Sequence, residues 1–486
     1  MSVTARGAFA VFIQLAAAFS SQTSAECENV LDTDVVILGG GASGSYALVT
    51  LSDLNFSVIL VEQSERLGGH INTWIEPETG TPVNYGVQTY WDWGPAKPFF
   101  ARMGVNVAPS SFPLRQPYYV DEATGVPLPS YKAPSESETR KALATYLKIT
   151  EEYSRFMVPG YWDFPSGHDI PADLLLPFGE FSAKYELDPL VPLITKIALT
   201  GVGGIKDIPT FEIMGPAFGL IPAHGISENS SFGPASGDNS ELYQKVGQEF
   251  ARNILLSSTI VATERNEGGV TLIVQNVDGK KSCVKAQKLL ITATPNPLTL
   301  PDIDLDDKER QALTGWTPRA LFVGVLQTFA IPGNRSIYTM SSQAVPSSYI
   351  NYQQDAQISF AVQAKEPKGH GVFRVMLEST QPIGVDEAQE LATKTLRKIL
   401  DADPFPELGN VNKTFQWRAW DSHQSILMRQ SSAEIQAGFV RDLYSVQGYR
   451  STWWSGSLFS SDFSTCVWTF TESLIARMVS PNNVSY

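Results

Sequence analysis

Residues 34–62 carry the clearest pattern of apolar and polar positions in the chain. DVVILG is a continuous apolar run with β-branched residues, which is typical of a buried parallel strand. ASGSYALVTLSDL places apolar residues at helical spacing, and SVILVE is a second buried strand. Two short strands that bracket about fifteen residues of helix predict a βαβ unit.

The rest of the chain predicts further helices and then antiparallel strands. An acidic first turn opens a long amphipathic helix at 135–158, and a shorter helix follows at 240–252. Apolar and polar residues alternate over 258–295, and turn residues stand at 267–269 and 278–279. This pattern predicts an antiparallel meander that ends in the buried strand KLLITATP. STWWSG and FSTCVWTFTESLIARMV predict a last strand and a closing helix. Two Gly/Ser/Pro-rich stretches predict surface loops: 222–238 and 341–348.

The first residues are typical of a targeting segment. Arg6 precedes the apolar run 7–19, and the small residues Thr23, Ser24 and Ala25 follow. This pattern predicts a signal peptide over 1–25 and a protein that is secreted or resides in the secretory-pathway lumen; an uncleaved anchor is the alternative. The run is short for a bilayer crossing, and no other stretch approaches the roughly 20 apolar residues of a spanning helix, so we expect no stable membrane span.

Composition narrows the class of protein. Apolar residues make up 43% and charged residues 18%, as in ordinary globular proteins, and the net charge of −14 argues against a nucleic-acid binder. Three cysteines cannot all pair, so we expect no disulfide framework, and no His/Cys cluster has the spacing of a metal site. Oligomeric state is not indicated. Asn-X-Ser/Thr sequences predict N-glycosylation at some of Asn55, Asn229, Asn334, Asn412 and Asn483.

The glycines of LGGGASGS predict a dinucleotide site. Gly39 permits the tight turn after the first strand, Gly41 lets a pyrophosphate approach the backbone, and Gly44 allows close packing of helix on strand. The helix start, with Ala42 and Ser43, offers unpaired N–H groups and the positive end of the helix dipole. Glu62 ends the second strand, where an acid accepts hydrogen bonds from the ribose.

The next residues bring a family resemblance. Glu62, Arg66, Gly68 and Gly69, with Gln63 beside them, resemble the E-x(3)-R-x-G-G extension of the flavin-dependent amine-oxidase superfamily. The resemblance implies FAD, and it implies that Arg66 adds charge-assisted bonding to the pyrophosphate. The resemblance also implies that the backbone of Val261 contacts the adenine. His70 stands where many members of the family carry arginine. In that family a final strand, glycine and helix contact the flavin chain. Here Gly456 fills that last motif, but Ser457 stands where the family usually has an acid.

Two further segments narrow the resemblance. LLLPFGEFSAKYELDPLVPLITK and GVGGIKDIP resemble polyunsaturated-fatty-acid double-bond isomerases, whereas His70, Ser457 and the leader look more like fungal β-cyclopiazonate dehydrogenase-type flavoproteins of secondary metabolism. The implied fold is α/β and amine-oxidase-like. A discontinuous Rossmann-type FAD domain takes 30–105, 240–297 and 445–486, and an α+β substrate domain takes 106–239 and 298–444.

The implied function is FAD-dependent oxidation, desaturation or oxidative cyclisation of a hydrophobic secondary metabolite by hydride transfer to flavin N5. Because nicotinamide cofactors are scarce outside the cytosol, the expected secretion favours O2 as the electron acceptor. A double-bond isomerase, an amine oxidase and a non-enzymatic flavin-binding protein are the alternatives. His423 is the candidate acid/base, and either His70 or His423 is a candidate for a covalent bond to the flavin. Four tryptophans are candidates to line the substrate pocket, with core packing as the alternative: Trp91, Trp93, Trp417 and Trp420.

Overall fold

The computed structural model describes residues 27–110, 116–198, 202–295, 300, 302–365, 367–423 and 426–480. The expected signal peptide at 1–25 and the glycosylation candidate Asn483 lie outside the described residues. The strands, numbered along the chain, are β1 (Asn29–Leu38), β2 (Val58–Val61), β3 (Thr73–Ile75), β4 (Pro82–Asn84), β5 (Tyr90–Trp91), β6 (Val107–Pro109), β7 (Gln116–Asp121), β8 (Ser231–Pro234), β9 (Ile254–Leu255), β10 (Ser258–Asn266), β11 (Gly269–Asn276), β12 (Lys281–Ile291), β13 (Thr317–Thr328), β14 (Arg335–Met340), β15 (Ile358–Ala364), β16 (Val372–Ser379), β17 (Phe415–Ser422), β18 (Ile426–Arg429) and β19 (Thr452–Trp454).

The helices, numbered in the same way, are α1 (Ala42–Asp53), α2 (Ala96–Arg102), α3 (Glu136–Met157), α4 (Ala172–Leu175), α5 (Phe178–Tyr185), α6 (Val191–Ala198), α7 (Thr210–Glu212), α8 (Leu220–Ser227), α9 (Glu241–Glu249), α10 (Asp307–Thr314), α11 (Val385–Asp401), α12 (Ser432–Ala437), α13 (Phe439–Tyr444) and α14 (Ser464–Val479). Within the described part of the chain, none of these helices has the length and apolar character that a bilayer crossing requires.

The first sheet is mostly parallel and has the order β10-β11-β12-β1-β2-β9, with β19 also pairing with β12. The register aligns the carboxyl ends of its parallel strands, because Leu38 pairs with both Val61 and Ile291, and Ile291 pairs with Trp454. Strand ends that stop level with one another form one edge. In open α/β sheets such an edge is where ligands bind.

The second sheet is antiparallel except for one pair and has the order β17-β13-β16-β15-β14-β7, with β18 pairing with β13. Helix α11 packs on one face of this sheet and buries an apolar cluster that includes Phe322, Val375 and Leu396. The opposite face carries Leu321, Val323, Ala361 and Met376, and we call it the inner face. Tyr85, from the segment that follows β4, packs against the inner face.

The elements of the βαβ unit, the long helix α3, the meander and the closing helix agree with the sequence prediction. The expected surface loop at 222–238 is wrong, because this segment contributes the end of α8 and the buried strand β8. Gly225 explains the difference, since a Cβ there would lie 2.4 Å from a ring atom of Trp91; the missing side chain serves close packing here rather than a turn. The segment 341–348 is a surface loop as expected, since Ser342, Gln343, Pro346 and Ser347 are exposed, and it contains a short 3₁₀ turn at Ser342–Ala344.

One disulfide joins the beginning of the described chain to β12. Cys27 and Cys283 are bonded across a sequence separation of 256 residues, and Cys466 is buried as a free thiol. The odd cysteine count therefore leaves one thiol over, and a single disulfide joins the other two cysteines.

Candidate active site

The glycine turn after β1 is built by close backbone contacts. Gly39 has φ +103°, a conformation that favours glycine, and Thr292 at the end of β12 donates its hydroxyl to the carbonyls of Leu38 and Gly39. A Cβ on Gly44 would lie only 1.9 Å from the Gly39 oxygen. The first and last glycines of the motif are therefore needed to form the turn and to pack α1 against it.

Gly41, the middle glycine, faces a second glycine loop, which is formed around Gly68 and Gly69. A Cβ on Gly41 would meet only the Gly69 Cα, at 3.9 Å, and Gly68 and Gly69 both have positive φ. The start of α1 has no side-chain cap. Two stretches of bare backbone thus face each other beside open helix N–H groups, which suits a pyrophosphate.

Arg66 is exposed and bonds to the backbone of the second glycine loop. Its guanidinium donates to the carbonyl oxygens of Ile71 at 2.9 Å and of Leu67 and Gly69 at 3.3 Å. These bonds hold the second glycine loop in shape, so Arg66 supports the phosphate cradle by fixing its backbone.

Glu62 lies buried at the carboxyl end of β2. One carboxylate oxygen accepts from the Gly40 N–H at 2.6 Å and the other from the Ser64 N–H at 2.8 Å, which leaves lone pairs for ribose hydroxyls. Gln63 beside it is exposed. Strand β10 starts at this point, because Ser258 donates its N–H to the Glu62 carbonyl, and the register with β11 shifts around Val261. Such a bulge leaves the main chain of Val261 available to a ligand.

The last strand and the closing helix complete the edge. The Ser43 hydroxyl donates to Ser455 at 2.7 Å and lies 2.9 Å from the Thr471 hydroxyl, so this side chain ties α1 to β19 and α14, and only its main chain can serve a ligand. The Ala42 carbonyl likewise accepts from the indole of Trp468 in α14. Gly456 has φ +119° and lies next to the Thr292 carbonyl, which places Ser457 just beyond the strand end.

A polar array lies between the second glycine loop and the inner face. The rings of His70 and His423 stack with centroids 4.2 Å apart, and His423 Nε2 lies 2.9 Å from Asn72 Oδ1. The Asn72 amide donates to the Asp421 carboxylate at 2.5 Å. Because a carboxylate only accepts, Nδ2 of Asn72 must face Asp421. His423 therefore carries its proton on Nε2 and keeps the Nδ1 lone pair. Asp421 and Asn72 thus set the tautomer of His423.

Both histidines are held in the neutral form. Burial lowers the pKa of His423 well below its usual range, and the neighbouring His70, Arg374 and Arg66 lower it further. Burial also lowers the pKa of His70, against the opposing charge of Asp421, although this ring keeps an exposed face as a cleft-lining residue does. A neutral His423 with a fixed tautomer can accept a proton at Nδ1.

Two tryptophan candidates lie away from this array. Trp91 is buried in an apolar cluster with Ile221 and Cys466, beneath the first turn of α14. Trp420 stacks parallel to Phe322 and donates its indole N–H to the Val385 carbonyl on the α11 side of the second sheet. Successive residues of a strand point to opposite faces, so Asp421 reaches the inner face and Trp420 cannot. The pocket-lining role of Trp420 is therefore wrong.

The other two tryptophans follow the same pattern. Trp417 packs with Trp420 and donates to Thr393 of α11, and Trp93 lies beside His224 with ring centroids 5.5 Å apart. For Trp417 in particular, core packing is the correct alternative.

Sequence reasoning misses several residues of the site. Asn72 and Asp421 stand within segments already singled out, but nothing in either segment indicates that they meet. Arg374 is buried and donates to the carbonyls of Tyr85 and Gly86, and burial lowers its pKa to about 10. Among the described residues, no carboxylate forms an ion pair with Arg374.

The chain resembles known flavoproteins in both fold and sequence. Residues 37–103 match the family model of NAD(P)-binding Rossmann-like domains. The CLA-producing fatty acid isomerase from P. acnes aligns with a TM-score of 0.70 at 17% identity, over 92% of this chain and 99% of that chain. A redesigned putrescine oxidase aligns with a TM-score of 0.61 at 14% identity, over 92% and 100%. Fold and site together define the class as a flavoprotein with a Rossmann-like dinucleotide-binding domain and an amine-oxidase-like architecture.

Sequence relatives then give the family. The FAD-dependent oxidoreductase pigF of Monascus ruber is 30% identical over 461 residues, which cover 92% of either chain. Beta-cyclopiazonate dehydrogenase of Aspergillus oryzae is 26% identical over 462 residues, or 94% of this chain and 95% of the relative. The chain belongs to this family of FAD-dependent oxidoreductases, and it is an enzyme of that class. The resemblance inferred from the sequence is confirmed.

Proposed function

We propose that this enzyme oxidises, desaturates or oxidatively cyclises a hydrophobic secondary metabolite, with O2 as the final electron acceptor. The observation that carries the proposal is the Asp421–Asn72–His423 array, which lies between the second glycine loop and the apolar inner face. The fungal relatives support it, since one is named for the dehydrogenation of β-cyclopiazonate.

The residues of the chain divide the work. Gly41, Gly69 and the start of α1 hold the pyrophosphate of FAD, and Glu62 holds its ribose. Bound FAD supplies the oxidising power, since its N5 takes a hydride from a C–H bond. His423 Nδ1 accepts the proton that an O–H or N–H of the substrate loses in the same oxidation, and Asn72 keeps the ring in place. The inner face holds the apolar body of the substrate and excludes water.

Oxygen uptake separates this function from isomerisation. The holoenzyme is mixed with prenylated and polyketide metabolites without oxygen, and bleaching of the flavin band at about 450 nm identifies a substrate. Air is then admitted in an oxygen electrode. Stoichiometric oxygen uptake supports the oxidoreductase, whereas product formation without oxygen uptake establishes a double-bond isomerase. A set of simple amines is tested in the same way, and bleaching by amines alone would establish an amine oxidase.

Passage through the secretory pathway is part of the proposal. The Cys27–Cys283 disulfide supports it, since such bonds persist in oxidising compartments. Asn55, Asn229 and Asn334 are exposed, as glycan acceptors must be. Asn412 is exposed as well. Expression in a fungal host tests this directly. A mature chain beginning at Glu26, with a mass that falls on endoglycosidase treatment, is expected, and an intracellular unmodified chain would refute it.

A covalent bond between flavin and histidine remains a prediction, and His70 is the better candidate for it. The His423 ring is buried and engaged with Asn72, whereas the His70 ring is exposed. Acid precipitation decides the matter. Yellow colour that stays with the pellet of the wild type, but not with that of His70→Ala, establishes the bond, and colour that leaves entirely with the supernatant excludes it.

A further inference from the structure

A second polar feature lies on the inner face, away from the histidine pair. Lys196 of α6 projects over the second sheet, where its ammonium contacts the Tyr119 hydroxyl at 2.8 Å. The ammonium also lies 5.0 Å from the ring centroids of Tyr119 and Tyr338. Throughout the described part of the chain, no carboxylate lies within ion-pair distance of it. Burial lowers the pKa of Lys196 to about 8, so the ammonium remains largely charged at neutral pH.

A cation held away from water without a counter-charge is costly to the folded protein. The carboxylate that lines the same pocket, Glu378, does not offset this cost, because it is paired with Arg319 at 2.7 Å. The tyrosine rings offset part of it through cation–π attraction. An anion bound beside the ammonium would therefore offset the remaining free-energy cost of the unpaired charge.

Polar groups with no protein partner surround the same pocket. Thr195 Oγ1, the Tyr352 hydroxyl and Gln353 Oε1 are buried, and within the described residues they make no hydrogen bond. All three residues line the pocket together with Lys196. Buried hydroxyls without partners are rare in folded proteins and indicate an absent ligand or water. Two hydroxyl donors beside an ammonium fit an anionic oxygen.

The pocket and the proposed reaction site share the inner face of the second sheet. Leu321 and Met376 form its floor on the inner face, and Tyr85 packs against the same cluster. The Tyr85 hydroxyl also lies 3.5 Å from the side-chain amide of Asn72. The main-chain N–H of His423 donates to the Leu321 carbonyl. The Lys196 pocket and the His423 array therefore both border the apolar cluster of the inner face.

We propose that Lys196 and its pocket form a substrate subsite for an anionic oxygen, a carboxylate or an enolate, on an otherwise apolar molecule. The subsite rests on the proposed function, since it supplies that reaction with a charged anchor at one end of the substrate. It selects acidic metabolites, and it disfavours amines by repulsion between like charges.

Calorimetric titration of the holoenzyme tests the subsite without turnover. The probes are benzoate and dimedone, which are a carboxylate and an enolate at neutral pH, each compared with a neutral analogue, benzamide and 3,3-dimethylcyclohexanone. We expect at least one anion to bind tenfold or more tightly than its analogue, and the anion that does so identifies the chemistry. Lys196→Met should abolish that preference, while Lys148→Met, the same change at an exposed helix position, should preserve it.

The outcomes are separable from those of the proposed function. Equal binding of anions and neutral analogues by the wild type would overturn the subsite, even if Lys196→Met failed to fold. A preference that survives Lys196→Met would also overturn it, since the anion would then bind elsewhere. Neither result bears on whether the flavin is bleached by a substrate or reoxidised by air.

Discussion

Gly41 and Gly44, the middle and last glycines of the motif after β1, differ in what an added methyl group would meet, which allows folding and cofactor binding to be separated. At Gly44 a Cβ would lie 1.9 Å from the Gly39 oxygen, 1.5 Å short of the 3.4 Å at which ordinary contact begins, and 2.9 Å from the Thr292 hydroxyl. The first neighbour belongs to the turn and the second is hydrogen-bonded to it, so the helix must move. We expect Gly44→Ala to cost about 3 kcal/mol of unfolding free energy.

At Gly41 the same methyl group meets only the Gly69 Cα, at 3.9 Å, and the residue has φ −69°, which alanine adopts without strain. We expect Gly41→Ala to keep the wild-type free energy of unfolding to within about 1 kcal/mol, the cost of a poorer N-cap. The methyl group enters the space between the glycine loops, so FAD affinity should fall at least tenfold, or about 1.4 kcal/mol.

Thermal unfolding of the apoproteins and titration of each with FAD check both expectations. The matched control is Gly384→Ala, because Gly384 also precedes a helix with φ −74° and has no atom within 4 Å of an added Cβ. Gly384→Ala should leave FAD affinity unchanged and should lower stability only by the cost of a poorer N-cap. Wild-type stability for Gly44→Ala, or wild-type FAD affinity for Gly41→Ala, would refute the assignment of roles within the turn.

Three further predictions follow from the fold and the site. Replacing Cys27 and Cys283 by alanine opens a loop of 256 residues and should cost at most about 5 kcal/mol, measured by denaturant unfolding under non-reducing conditions; an unchanged midpoint would show that the bond adds no stability. Burial raises the pKa of Glu212 from 4.5 to about 7, so between these pH values the folded state binds a proton that the unfolded state has lost. The free energy of unfolding should therefore fall as pH rises from about 4.5 to about 7, by up to about 3 kcal/mol. Glu212→Gln should flatten that slope, and an equal slope in the variant would assign it to another group. Asp421→Asn removes the charge that orients Asn72 and should lower turnover at least tenfold at unchanged flavin content, since such a bond is worth about 1.5–3 kcal/mol; unchanged turnover would show that the array plays no part in the reaction.

The cofactor half of the site is predictable from the sequence because its signals are local. The spacing of Gly39, Gly41 and Gly44 between two apolar strands is enough to predict the turn, and Glu62 follows at the next strand end. The role of Arg66 is harder to predict, because three carbonyl partners within five residues leave no trace in the residue pattern.

The substrate half depends on contacts between distant segments. Asn72 and Asp421 are 349 residues apart, and their hydrogen bond exists only once β17 lies in the second sheet. The inner face is recognisable only after the register of β13 and β17 is known, because a shift by one residue would exchange Trp420 for Asp421. In the sequence, nothing distinguishes Lys196 from the other lysines on amphipathic helices.

The level strand ends of the first sheet also set the order of events during synthesis. Leu38, Val61, Ile291 and Trp454 must all be in place before the edge exists, and Ser43 is fastened only when Thr471 arrives. A nascent chain that has not yet exposed Thr471 cannot offer a finished cradle. FAD must therefore be present in the compartment where the chain completes its fold.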